Sequence, residues 1–279
     1  MERNHVKVAA RIGYAARGAV YLLLGGLAFL AAIGSGGQTT DPKGALAALL
    51  GEPLGFVIVL AIGIGLFAYA AWRAVQGLLD ADRHGTDAKG LAIRGAMCVS
   101  AVTHASLGLY AVTLPFALGA FSNGGGDGSK DAASWVLRQP FGRYLLALVA
   151  LAILAAGLAQ IHKALTGGFR ERLAMREALL DRLSPVCAFG LAARGVVFLI
   201  IGGFFAYAAW VIDPDEAGGT AAALEWLRSQ PYGSWLFLAI AIGLVAFGMY
   251  GLIQAIWRRI DLDEPARHAD RLTALGNRS

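Results

Sequence analysis

Acidic residues are missing from the places where this chain is most apolar. Six stretches, Tyr14 to Ile33, Phe56 to Leu79, Ala96 to Phe121, Tyr144 to Leu165, Phe189 to Ile212 and Trp235 to Ile256, contain no Asp or Glu. Charge is scarce throughout, at 15% of 279 residues against 57% hydrophobic; a soluble domain carries roughly 25% charged residues. That balance excludes an ordinary soluble domain. Each stretch approaches the roughly 20 residues that cross a bilayer as a helix. The alternation of a transmembrane barrel is absent, and backbone polar groups must all be paired in hydrocarbon, so the stretches are predicted to be helices. Proton- and cation-coupled carriers commonly place carboxylates within the membrane. Their lack here leaves an anion channel or facilitator as the transport reading.

Other chemistry is thin as well. There are two cysteines, Cys98 and Cys187, and no CxxC, which predicts free thiols in a reducing compartment. Neither HExxH nor GxSxG occurs, and GGGDGSKD (124–131) lacks the GxxxxGK[ST] order of a phosphate loop, so it reads as a Gly-rich turn. His104 and His162 lie on sequential helices but supply only two ligands, short of a zinc site, and bis-histidine haem would need a cavity. Cys98, six residues before His104, is off the i, i+3 and i+4 face. Asp213, Asp215 and Glu216 read as solvated loop charge. No metal, cofactor or enzymatic activity is expected.

What the sequence does have is a biased distribution of base. Sixteen of the 24 Lys and Arg residues fall in the N-terminal segment, the second and fourth loops and the tail, and five in the alternate loops. The positive-inside rule then predicts cytoplasmic N- and C-termini. The pI of about 9.4 is accounted for by topology, without the clustered footprint of a nucleic-acid binder. Trp72, Trp210, Trp235 and Trp257, near helix ends, read as interfacial anchors. The first stretch is preceded by Arg3, Lys7 and Arg11, as in a secretory signal. Its near copy LAARGVVFLIIGG (191–203) lies deep in the chain, so YAARGAVYLLLGG (14–26) reads as a retained span.

That near copy belongs to a longer repetition. EPLGF, QPFGR and QPYGS place Pro53, Pro140 and Pro231 in matching positions before apolar helices, each preceded by a short apolar segment and another span. The unit is helix, turn, short surface helix, Pro-x-Gly, helix. Two crossings per unit orient all copies alike, predicting an all-α membrane fold of three parallel hairpin repeats about a pseudo-three-fold axis, with each proline starting the second helix of its unit. Pro115, inside the third span, is predicted to kink it. The divisions are repeat one at 8–82, repeat two at 91–167, an amphipathic cytoplasmic linker helix at 168–185, repeat three at 186–260 and a polar tail at 261–279. In the linker, Phe169, Leu173, Leu180 and Leu183 share an apolar side that would lie on the membrane or on the protein itself.

This layout resembles the bacterial integral membrane proteins built from three two-helix repeats, a family catalogued as a domain of unknown function. Ala16-Arg17-Gly18, Ala193-Arg194-Gly195, the three Pro-x-Gly turns and FRERL (169–173) carry the resemblance, which covers Arg11 to Ile260. It implies an inner-membrane protein and no assigned activity. Repeat two departs, with His104 where the others have arginine and His162-Lys163 near the end of the fourth helix.

Aligned on the prolines, with one residue of slip allowed in the third repeat, Arg17, His104 and Arg194 fall in register on the first helices, and Gln76, Lys163 and Gln254 on the second. All six are expected near the cytoplasmic ends. Arg17 shares a helical face with Tyr14, Gly18, Tyr21 and Gly25, which favours an inward side chain. The weightier reading on sequence alone is snorkelling to the headgroups. The sharper one is a cationic pocket for an anionic lipid or a small anion, since forked guanidinium donors match phosphate and carboxylate. A scaffold subunit binding other membrane proteins is a third reading.

Overall fold

The computed structural model describes residues 2–116 and 128–260. Most of the Gly-rich turn and the tail 261–279 lie outside the described residues. Among the described residues, six helices are long and apolar enough to cross a membrane: α1 (Glu2–Ala32), α3 (Gly55–Leu78), α4 (Ala88–Thr113), α6 (Gly142–Thr166), α7 (Glu177–Val211) and α9 (Gly233–Trp257). Three short helices, α2 (Pro42–Leu50), α5 (Gly128–Leu137) and α8 (Thr220–Ser229), precede the second span of each repeat. Asp41 and Asp87 cap α2 and α4, accepting from the backbone N–H of Gly44 at 2.7 Å and Gly90 at 3.0 Å, which satisfies N-terminal donors the helices leave open.

The prolines of the Pro-x-Gly motifs sit in the turns, two residues ahead of the helices, and do not start them. The middle residue takes the strain: Leu54, Phe141 and Tyr232 have φ of 63°, 60° and 60°. Glycine follows because the chain doubles back onto the end of the short helix. A Cβ at Gly142 would lie 2.5 Å from the carbonyl oxygens of both Val136 and Leu137, and one at Gly233 would lie 2.8 Å from that of Leu227. Pro115 ends α4 in a 3₁₀ turn, Leu114–Phe116, where a kink was expected; its ring cannot continue the hydrogen-bond ladder.

The linker also differs from expectation. Gly167, with φ of 69°, ends α6, and one 3₁₀ turn follows at Arg170–Arg172. From Glu177 the chain is already helical and runs through Pro185 into the fifth span as one 35-residue helix. Arg170 holds that join, pairing with Asp181 and donating to Ser184 Oγ at 3.0 Å. Phe169 and Leu173 are buried against the protein's own spans. Leu173 bridges Arg258 in an antiparallel pair, and the backbone N–H groups of Ala174 and Arg259 donate to the carbonyls of Trp257 and Arg172. The linker is thereby clamped to the end of α9.

The spans pack in the order α4, α3, α1, α9, α7, α6. The most extensive contacts join different repeats: α1 with α9, α6 with α7, and α3 with α4. Small residues permit each of them. A Cβ at Gly18 would lie 2.8 Å from the carbonyl oxygen of Gly248, one at Gly157 would lie 2.9 Å from that of Gly195, and one at Gly108 would lie 3.2 Å from that of Gly63. Without a hydrophobic drive between helices in lipid, such close approach is what holds them together.

Within repeats, α1 packs on α3 and α7 on α9, but α4 and α6 make no extensive contact. The sequence explains the exception. A Cβ at Gly13 would lie 2.5 Å from the backbone N of Tyr69, and one at Gly65 would lie 2.5 Å from Ala16 Cβ. Gly190 and Gly243 make the same approaches, to Phe247 and Ala193. In repeat two the residues in register with Gly13, Ala16 and Gly65 are Ser100, Thr103 and Ala152. The close approach is filled, and the hairpin stands open.

Candidate functional site

Arg17, on α1, is only 6% exposed. It does not snorkel to the surface. Its Nη1 donates to Tyr69 Oη at 2.7 Å and its Nη2 to Gln254 Oε1 at 3.1 Å. The guanidinium carbon lies 4.9 Å from the Phe247 ring centre, 5.2 Å from Tyr69 and 5.9 Å from Tyr14. Rings contribute about 2 kcal/mol or more each to a desolvated cation, against a desolvation cost of several kcal/mol. All of these partners are neutral in their ordinary state, and Nε has none among the described residues.

Around it the network extends in two directions. Arg73 donates from Nε to Tyr69 Oη at 2.8 Å and from Nη1 to Gln76 Oε1 at 3.3 Å, so the Tyr69 oxygen receives two guanidinium groups. Gln76 passes the chain on, Nε2 donating to Asp82 Oδ2 at 2.7 Å. Asp82 is also held by Arg172 at 2.6 Å and Arg258 at 3.2 Å. On the other side Arg194 donates from Nε to Tyr21 Oη at 2.8 Å and stacks on Phe198 at 4.2 Å and Phe247 at 4.8 Å. Phe247 thus serves both arginines of the repeated tripeptide. Among the described residues the network holds five guanidinium groups and one carboxylate, which of the five touches only Arg172 and Arg258.

Of the six residues aligned from the sequence, Arg17 and Gln254 bond directly, Arg194 joins through Phe247, and Gln76 joins through Arg73 and Tyr69. His104 reaches the cluster through its ring, 4.6 Å from that of Tyr69, while its Nδ1 donates to the Ser100 carbonyl at 2.8 Å. Lys163, exposed on α6, makes no hydrogen bond or ion pair among the described residues, but it lies near enough to Arg73, Arg172, Arg258 and Asp82 to interact with their charges. Trp72, expected at the interface, is 3% exposed and donates to Tyr14 Oη at 3.1 Å. Trp210 and Trp235 are exposed.

Sequence reasoning missed Tyr69, Arg73, Phe247, Asp82 and Arg258. One signal was available: Tyr69 and Phe247 each lie sixteen residues after the proline of their repeat, where repeat two has Ala156.

The loop carrying Asp82 is expected to respond to pH. Burial and the nearby Arg172 push His84 below the ordinary histidine range, against the pull of Asp82 and Asp80. Desolvation opposes ionisation of Asp80, but backbone N–H donors of His84 and Gly85, at 2.7 and 2.8 Å, outweigh it and lower its pKa. For both groups the folded pKa is depressed, so the stability they contribute is present above their unfolded values and lost as pH falls through the folded ones. Hydrogen exchange of residues 80–85, corrected for intrinsic rates, is expected to show protection at pH 7.5 that declines below about pH 6.5. Protection unchanged down to pH 4 would contradict this.

A six-span helical bundle, written as three helix pairs packed about a cluster of buried arginine, defines a multi-pass membrane protein. The chain belongs to the family described as Domain of Unknown Function (DUF1206), which matches three times, over residues 12–80, 96–167 and 189–258. It is also 32% identical over 261 residues to "Uncharacterized protein YxxB" of Bacillus subtilis (strain 168), spanning 91% of this chain and 92% of that relative. No solved structure matches.

Proposed function

We propose that this is a non-enzymatic protein of the bacterial inner membrane that holds an anion, a lipid headgroup or a small free anion, at the Arg17 cluster. The observation that carries the reading is Arg17 itself: a guanidinium 6% exposed that has, among the described residues, an unpartnered Nε and no carboxylate against it. A buried charge without a counter-charge is costly, and a bound anion supplies the missing one through charge-assisted hydrogen bonds. The cluster joins the segments after α3, after α6 and after α9, the strongly basic side of the chain, which supports cytoplasmic termini and a site near the cytoplasmic face. The repeats are read as hairpins oriented alike about a pseudo-three-fold axis, interrupted at repeat two. Both forks of Arg17 are engaged and three rings surround it, which favours a held anion over a channel.

Native mass spectrometry of the purified protein and of the Arg17→Ala/Arg194→Ala variant tests this. The parent is expected to retain an anionic species that the variant lacks, with helical content by circular dichroism equal in the two. A parent that retains nothing, beside a folded variant, would sink the reading.

A further inference from the structure

The opening between α4 and α6 calls for an occupant. These two spans are the least buried, with 17% of their most apolar windows inside the protein against 39–56% for the other four. On α6, Ala152, Ala155 and Ala159 are exposed, giving a smooth face of methyl groups. On α4, Thr103 and Ser106 are exposed, but their hydroxyls donate to the carbonyls of Ser100 at 3.1 Å and Val102 at 3.0 Å. Their polar atoms are satisfied within the helix, as hydrocarbon requires. The character changes at one end. There Lys163 is exposed on α6 without an acceptor among the described residues, Arg73 is half-buried on α3, and the His104 ring leads through Tyr69 to buried Arg17 with its unpartnered Nε. Ala156 removes the ring that Tyr69 and Phe247 supply at the matching position in the other repeats.

We infer that one anionic phospholipid occupies this opening, with its phosphate at Lys163 and Arg73 and an acyl chain along the alanine face of α6. The inference rests on the anion reading above and specifies its ligand class. An apolar slot ending in base that makes no ion pair among the described residues fits the two halves of a phospholipid, and basic residues near the headgroup plane favour an anionic lipid. A free anion would use only the basic end and leave the slot without a role.

The test uses the full-length protein, delipidated in neutral detergent and offered phosphatidylglycerol, phosphatidylcholine or inorganic phosphate, with bound species read by native mass spectrometry. Phosphatidylglycerol is expected to be retained about tenfold better than phosphatidylcholine, and to fall about tenfold in Lys163→Glu and in Ala156→Trp, which fills the slot. Lys163 is exposed, so its variant keeps the test valid if the tryptophan disturbs folding. Phosphatidylglycerol retained undiminished by folded forms of both variants, but lost from Arg17→Ala/Arg194→Ala, would overturn the slot and leave the anion reading standing. Inorganic phosphate bound in preference to either lipid would do the same. Retention of none of the three would defeat both.

Discussion

Gly25→Val is expected to destabilise the protein by about 3 kcal/mol, while Gly26→Ala, one residue further on, is expected to stabilise it by up to about 1 kcal/mol. The two glycines are adjacent in the same repeated motif, yet their surroundings differ completely. A Cβ at Gly25 would lie 2.6 Å from the backbone N of Val245 and 2.9 Å from the carbonyl carbon of Leu244; at Gly26 nothing lies within 4 Å. Backbone of α9 cannot step aside, so the valine must force α1 and α9 apart along their most extensive contact. At Gly26 only helix propensity changes, and alanine is the better helix former. Thermal unfolding in detergent, followed by circular dichroism, reads both. Equal losses at the two positions would show that close approach of α1 and α9 does not hold the bundle.

Asp82→Ala is expected to cost a similar amount, about 3 kcal/mol, although it removes a loop residue. Its carboxylate is 12% exposed and collects Gln76, Arg172 and Arg258, of which Arg258 is only 7% exposed. Removing it leaves buried Arg258 and part-exposed Arg172 uncompensated and takes the acceptor from Gln76. By contrast Arg170→Ala breaks a pair whose members are 35% and 61% exposed, and is expected to lose less than about 1 kcal/mol. Chemical denaturation of the two variants side by side distinguishes a structural hub from an ordinary surface pair. Similar midpoints would show that Asp82 is merely decorative.

The spans and their threefold repetition were legible because an apolar run long enough to cross a bilayer leaves few alternatives, and the three Pro-x-Gly turns mark the copies. Helix neighbours were harder. The same alignment that pairs Gly13 with Gly190 also shows Ser100 between them, but only the packed bundle reveals that this position faces the partner span. The first apolar stretch starts at Tyr14 and so puts Arg17 near a helix end; the helix begins at Glu2, and α3 and the end of α9 surround the arginine. Its glycine-rich face pointed the right way. Asp82 and Arg258 escaped notice since loop and tail charges had been used only to orient the chain, and nothing local in their spacing brings them together.

The pairing of the first span with the last has a consequence for biosynthesis. Arg17 and its partner Gln254 are 237 residues apart, and a ribosome adds about 5–20 residues each second. For some tens of seconds the nascent chain holds a guanidinium whose amide acceptor has not yet been made, while the linker waits for the strand partner that follows α9. Tyr69 arrives early enough to shelter the charge alone. Completion of the final helix is therefore the event that supplies the last partner of Arg17, and a chain interrupted before it lacks both that amide and the ring of Phe247.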